Sequence, residues 1–440
     1  MSLTIIGYFT ICLLLFFLAI GFQIGISFLI TGLVASTLII GFKPALILIG
    51  ESMYYSINTP CFVALPLFIL MGAFAARGGF AEKAYNGLHK MTAGLPGSLA
   101  IATCFASAAF GAISGSSLAT AAVFGKLALP EMERYKYKRS LSLGCIASAG
   151  TFACMIPPSN LFIIYAMFTD QSVGRLFAAG ILPGILTAIT YSISIIYRVK
   201  KNPELAPEIK SEKKITLSQR IITVKQLAPI LSISFIVLGG MYGGIFSPTE
   251  AAAVGALLTL IFGIYLRKLN NLKKIKESLR ESAQTTAMIF IIIAGSIYLS
   301  RTLALTRLPE LITTLIVEAT IPRIIILVGI FFVYFLLGMI MIPTGIFALT
   351  LPIVFPVIIA LSYDPIWFGV ITIKLSEIAA VTPPVGLNVY ALKGVAGKEV
   401  PIQEIFSGIW PFIPCDIFVL LLLIIFPKIC LFLPNLLFAK

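Results

Sequence analysis

The chain has little charge, a single histidine and no cysteine pattern. Only 11% of its 440 residues are Asp, Glu, Lys or Arg, where a soluble domain carries about twice that share. His89 is the one histidine, read as lying in a basic loop, and its isolation removes most zinc-site and His-base chemistry. The seven cysteines (Cys12, Cys61, Cys104, Cys145, Cys154, Cys415 and Cys430) form no CxxC pair, and nearly all sit in apolar runs. They read as small apolar helix residues. The aspartates are Asp170, Asp364 and Asp416. A membrane protease needs a Ser–His pair, two membrane aspartates or a zinc motif, and the sequence offers none of them. Short alternating segments are also missing, which excludes a barrel. No Lys or Arg precedes the first apolar run, so no cleavable signal peptide is expected.

What the chain has is apolar length. Hydrophobic residues make up 59% of it, and the mean hydropathy is +1.04. Apolar runs near twenty residues recur from end to end, each able to cross a bilayer as a helix. Helices satisfy their own backbone in lipid, so the fold is all-α and polytopic. The formal charge is +14. The excess sits in short loops, as the positive-inside rule requires, and suits anionic membrane lipid; a nucleic-acid partner is not expected.

Two basic stretches orient the chain. Residues 198–225 carry eight basic and three acidic residues, and 267–280 carry six and one. Both are expected in the cytoplasm. Between them lie two crossings, with Gly243 to Glu250 at the far turn. Working outward gives crossings near 4–20, 24–42, 60–76, 140–168 and 176–197, then near 227–243, 249–266, 283–304, 366–394 and 406–427. The stretches 97–130 and 323–356 are bounded by proline, with Gly, Ser, Thr or Pro at their centres. They read as re-entrant helical hairpins, which membranes tolerate where the turn is packed in protein or lines a cavity.

The two sets repeat at an offset of 226 residues. Pro130 precedes Pro157-Pro158 by 27 residues, and Pro356 precedes Pro383-Pro384 by the same 27. Five crossings per half is an odd number, so the second half is expected upside down. That is the inverted-topology repeat of many secondary transporters. The predicted organisation is a first repeat at 1–197, a cytoplasmic basic linker at 198–226 and a second repeat at 227–440. Within the repeats, helices at 140–168 and 366–394 are broken by their Pro-Pro pairs.

A proline pair removes two amide donors and clashes with the preceding turn, so each of these helices must open. The opened turns free carbonyls for a hard cation and expose half-helix N-termini to carboxylates. The candidate substrate contacts are Pro157, Pro158 and Ser159 at the first break, and Pro383, Pro384 and Asn388 at the second. Ser117 at the first hairpin tip joins them. The tips run Gly111 to Thr120 and Met341 to Gly345; their glycines and hydroxyls also serve close helix packing. Glu377 lies five residues before Thr382, inside a crossing. It either balances cation charge at the site or pairs with Lys374 one turn earlier. Asp416 and Glu51 are weaker candidates placed near an interface. Arg301, Arg307 and Arg323 fall on the outer side, as solvated charges or as anion-steering groups.

At these motifs the chain resembles the large subunit of the tripartite ATP-independent periplasmic (TRAP) transporters, the DctM type. The matching stretches are Gly115-Ser116-Ser117, Gly150-Thr151 with Ile156-Pro157-Pro158-Ser159, Ala179 to Gly184, Gly243 to Ala253, and Thr382 to Asn388. Departures are Phe152 to Met155, Asn160 after the first break, and Met341-Ile342-Pro343 at the second tip. The resemblance implies an elevator-type transporter in the bacterial inner membrane, driven by Na⁺. It implies one Na⁺ site at Ser114, Gly115, Ser116 and Gly150, and a second at Thr344 and Gly345 with Thr382. It further implies a small four-helix membrane subunit (DctQ type), expected as a separate polypeptide, and a soluble periplasmic substrate-binding protein (DctP type). The implied substrate is a carboxylate such as a C4-dicarboxylate or a sialic acid. A stand-alone ion-coupled dicarboxylate carrier of related fold is the competing expectation.

Overall fold

The structure, a computed structural model, describes residues 2–58, 60–207, 217–318 and 321–438. Part of the expected linker, residues 208–216, lies outside them. Every regular element among the described residues is a helix. Helices stand where the crossings are expected. Leu3–Ala19, Ile24–Ile40 and Pro60–Arg77 open the chain, and Val173–Lys201 closes its first half. Leu217–Tyr242, Pro248–Tyr265 and Leu272–Leu305 follow. The last expected crossing is bent, as Ile402–Ile409 and Ile413–Ile425 meeting at 45°.

Both helix breaks are present. Arg139–Ala153 and Asn160–Thr169 flank the first proline pair, and Pro365–Ala379 and Leu387–Ala396 flank the second. Each pair is joined by a cis peptide bond. Both hairpins are present too, as Ser98–Ser114 with Ser117–Arg134 and Arg323–Gly338 with Pro343–Ala360. Their second arms outrun the expected ends at 130 and 356. Pro130 and Pro356 sit inside the last turns of those arms, where a helix already under way can carry a proline whose lost bond is near its end.

Four helices escaped the hydropathy reading: Phe42–Ile57, Phe80–Thr92, Leu308–Glu318 and Lys428–Phe438. The first two hold Lys43, Glu51, Glu82, Lys83 and Lys90, which dilute the apolar signal. His89 therefore lies on a helix, not in a loop. The basic stretch 267–280 is likewise mostly helical: from Leu272 onward it is the start of the 34-residue Leu272–Leu305 helix.

The 226-residue offset holds at the level of elements. It carries 139–153 onto 365–379 and 117–134 onto 343–360, the bounds of the equivalent helices. The halves differ at the last crossing, one helix at Val173–Lys201 but bent into two at Ile402–Ile409 and Ile413–Ile425, and at one earlier place. Phe42–Ile57 and Pro60–Arg77 are two helices, where the second half runs the single Leu272–Leu305.

Burial separates an inner from an outer layer. Arg139–Ala153, Pro365–Ala379 and Ser98–Ser114 are buried on nearly all sides, as helices apolar all round must be. Leu3–Ala19 buries only Ile6, Gly7, Thr10 and Leu14. The interrupted helices and the first hairpin thus form the middle of the molecule.

Candidate functional site

The first hairpin turns at Gly115, which takes φ +59, a conformation that costs a Cβ-bearing residue about 1–2 kcal/mol. Ser116 then caps the second arm, its hydroxyl accepting from the Ala119 amide at 3.3 Å. The tip is pressed into the first break: a Cβ on Gly115 would stand 2.9 Å from the Pro158 carbonyl oxygen. From below, a Cβ on Gly150 would stand 2.9 Å from the Ser117 carbonyl oxygen. Ser114, Gly115, Ser116 and Gly150 are therefore gathered around one turn. The Ser114 hydroxyl lies 3.3 Å from that of Thr120.

At the second break the Thr382 hydroxyl donates to the Ile378 carbonyl at 2.8 Å, leaving its lone pairs free. The Asn388 amide N–H closes onto the Ala380 carbonyl at 3.1 Å. Gly386, at φ +66, starts the helix that follows.

A cavity of about 160 Å³ lies between these parts. Gly115, Ser116 and Ser117 reach it from the first tip, and Ile342, Pro343 and Thr344 from the second. Cys154, Asn160 and Leu161 line it from the first break; Glu377, Ala380, Leu387 and Asn388 line it from the second. Four helices start at its wall, with Ser117, Asn160, Pro343 and Leu387 as their first residues, and three end there, with Gly115, Cys154 and Ala380 as their C-caps. N-termini carry partial positive charge and free amides, C-termini partial negative charge and free carbonyls. One small space is thus presented with groups for an anion and groups for a cation. Among the described residues no three His, Cys, Asp or Glu side chains gather, so an ion held here would be held mainly by carbonyls and hydroxyls.

Of the residues expected at the site, Gly115, Ser116, Ser117, Thr344, Glu377 and Asn388 line this cavity. Ser114 lines a smaller adjoining space of about 90 Å³ that shares Ser116, Asn160 and Thr285. Pro157, Pro158 and Ser159 are buried behind the wall, Pro383 is half-buried, and Pro384 is exposed. The proline pairs shape the turns; the residues just after them face the cavity. Gly345 faces away: a Cβ there would stand 2.7 Å from the Ile24 side chain.

Glu377 is 1% exposed and accepts a hydrogen bond from the Ser117 hydroxyl at 3.1 Å. Its other oxygen and both side-chain polar atoms of Asn388 make no hydrogen bond of ordinary geometry among the described residues, although the Asn388 and Cys154 side chains stand beside the carboxyl. The alternative pairing of Glu377 with Lys374 is not formed. Lys374 pairs with Asp416 at 2.5 Å, and Asp416 is fully buried within the protein. Arg301 is held by Ser52 and Tyr55 and Arg323 by Tyr363; neither they nor Arg307 lines the cavity.

Sequence reasoning missed the third wall, Thr285, Met288 and Ile289 of the long Leu272–Leu305 helix. These residues stand in an unbroken helical run with no local signal. Cys154 and Asn160 had a signal, as departures from the family pattern.

A small cavity lined by two hairpin tips and two interrupted helices, inside an all-helical membrane body, defines a membrane transporter of the broken-helix class. The chain belongs to the family of the tripartite ATP-independent periplasmic transporter, DctM component, whose pattern matches residues 11–429. It is 33% identical over 375 residues to the C4-dicarboxylate TRAP transporter large permease protein DctM of Pseudomonas aeruginosa, covering 85% of this chain and 86% of that one. It is 31% identical over 391 residues to the ectoine/5-hydroxyectoine TRAP transporter large permease protein UehC of Ruegeria pomeroyi, covering 89% and 90%. The fold is also that of the Alcanivorax borkumensis YdaH transporter, with a TM-score of 0.63 over 88% of this chain and 89% of that one at 12% identity. The family expected from the motifs is the family found, and these relatives are named as transporters, not enzymes.

Proposed function

We propose that the chain is the inner-membrane large permease of a Na⁺-coupled importer of a small organic acid. A periplasmic binding protein delivers the acid, and a small membrane subunit sits beside the permease. The observation that carries this reading is the convergence of helix starts and helix ends on one cavity. The helix starts suit the carboxylate. The helix ends, with the hydroxyls of Ser114, Ser116, Thr344 and Thr382, suit Na⁺, a hard cation taken up by neutral oxygens. Glu377 and Asn388 face the substrate from the second break. The two hairpins and two broken helices move together against the outer helices, carrying the site across in an elevator motion. Relatives named for a C4-dicarboxylate and for ectoine support a carboxylate-bearing solute and leave its remainder to be identified by a thermal-shift screen of the cognate binding protein.

The test is uptake into proteoliposomes holding this chain and its small subunit, with and without the binding protein and a Na⁺ gradient. Uptake requires both in the tripartite reading. Undiminished uptake without the binding protein points to the stand-alone carrier instead. Ser116→Ala and Thr382→Ala are expected to raise the Na⁺ concentration needed for half-maximal uptake; wild-type Na⁺ activation in both would remove the cation assignment.

A further inference from the structure

Behind the cavity wall lies a sealed charged cluster that the transport reading does not use. Lys374 and Asp416 form an ion pair with both side chains 1% exposed. Lys374 also donates to the Thr187 hydroxyl at 3.3 Å, and the Tyr191 hydroxyl donates to the second Asp416 oxygen at 2.5 Å. The Tyr191 ring packs edge-on against Phe152, with centroids 5.3 Å apart.

These contacts cross the molecule. Lys374 sits on Pro365–Ala379, the arm entering the second break. Phe152 sits on Arg139–Ala153, the arm entering the first. Tyr191 comes from Val173–Lys201 and Asp416 from Ile413–Ile425, helices further along the chain from each break. The cluster therefore ties both interrupted helices together from the side away from the cavity. Glu377 stands three residues beyond Lys374, on the next turn of the same helix, and is the charged residue that reaches the cavity.

Stability does not explain the cluster. Sealing two charges from water costs about as much as their attraction returns, and apolar side chains of similar volume would serve as well or better. Duplication does not explain it either. The 226-residue offset places Ser148 and Thr190 at the positions of Lys374 and Asp416. The Thr190 hydroxyl merely donates to its own helix at 2.8 Å. The pair is an addition to one half of a repeated frame.

We infer that Lys374, Asp416 and Tyr191 are positioning residues that fix the arm of the second break, and with it Glu377, against the first. This rests on the cavity being the transport site. The directional bonds at Asp416 hold the arm at one height and one rotation, which apolar packing would leave freer to slide.

The experiment uses the full chain with its small subunit in proteoliposomes. Lys374→Met alone leaves a buried unpaired carboxylate and is expected to lower thermal stability. Lys374→Met with Asp416→Leu removes both charges and is expected to restore stability while uptake stays slowed about tenfold, with little change in KM, as for network residues coupled to the site. Glu377→Gln added to that double variant is expected to cost much less than in the wild-type chain. Hydrogen exchange across residues 378–388 is expected to quicken in the double variant, and that readout needs no substrate or cation. Wild-type uptake and wild-type exchange in a stable double variant would overturn the inference, as would effects of the pair and of Glu377 that simply multiply. Should wild-type uptake prove independent of Na⁺, the transport reading changes while the exchange result still decides this one.

Discussion

Gly115 shows how closely one residue can be specified by two separate demands. Its φ of +59 favours glycine, and the Pro158 carbonyl oxygen stands where a side chain would begin. Gly115→Ala is expected to destabilise the chain by about 1–2 kcal/mol from the backbone alone, and to slow uptake further by pushing the tip off the break. Thermal unfolding in detergent beside initial uptake rates checks this; an unchanged rate would mean the tip does not close the site. Single residues were unevenly legible in the sequence. Glu377 stood out because an acid in an apolar run must have a reason. Its partner did not. Nothing in the spacing Lys374–Glu377 says that the lysine turns to Asp416, because that choice is made by the Val173–Lys201 and Ile413–Ile425 helices packing behind it. Pro384 is exposed and off the cavity wall: a proline can break a helix without its ring facing the space the break creates.

The elements were legible wherever apolar length and a helix breaker coincided. The hairpins and broken helices carry Gly, Ser, Thr and Pro at the turn itself, so the turn announces its own position. The helices missed are those whose polar residues dilute the run, such as Phe80–Thr92 with Glu82, Lys83, His89 and Lys90. A prediction follows for the breaks. With alanine at both Pro157 and Pro158, the lost amide donors return and the 139–153 and 160–169 segments can join as one helix. Asn160 and Leu161 would then rotate out of the cavity wall they now form. Uptake is expected to fall to background while helical content by circular dichroism holds or rises. Retained uptake would show that the open turn is not part of the site.

For the whole molecule, the element-by-element repeat and the charge distribution constrain each other. Lys225–Tyr242, within the Leu217–Tyr242 helix, and Pro248–Tyr265 are each long and apolar enough to cross a bilayer. Asn202 precedes the first and Asn270 follows the second, with exposed Gly244 at the turn between. Two crossings return the chain to the side it left, so Asn202 and Asn270 must share a side and Gly244 must face the other. The basic residues of 198–225 and 267–280 lead us to expect the shared side in the cytoplasm. Single cysteines at Asn202, Asn270 and Gly244, in a chain with its seven native cysteines replaced, turn this into a measurement. In right-side-out vesicles an impermeant maleimide is expected to label the Gly244→Cys variant and spare the other two until the membrane is opened. Opposite labelling of Asn202→Cys and Asn270→Cys would break the two-crossing path. Labelling of both, with Gly244→Cys protected, would invert the molecule and put the basic stretches 198–225 and 267–280 on the outer side, against the positive-inside rule.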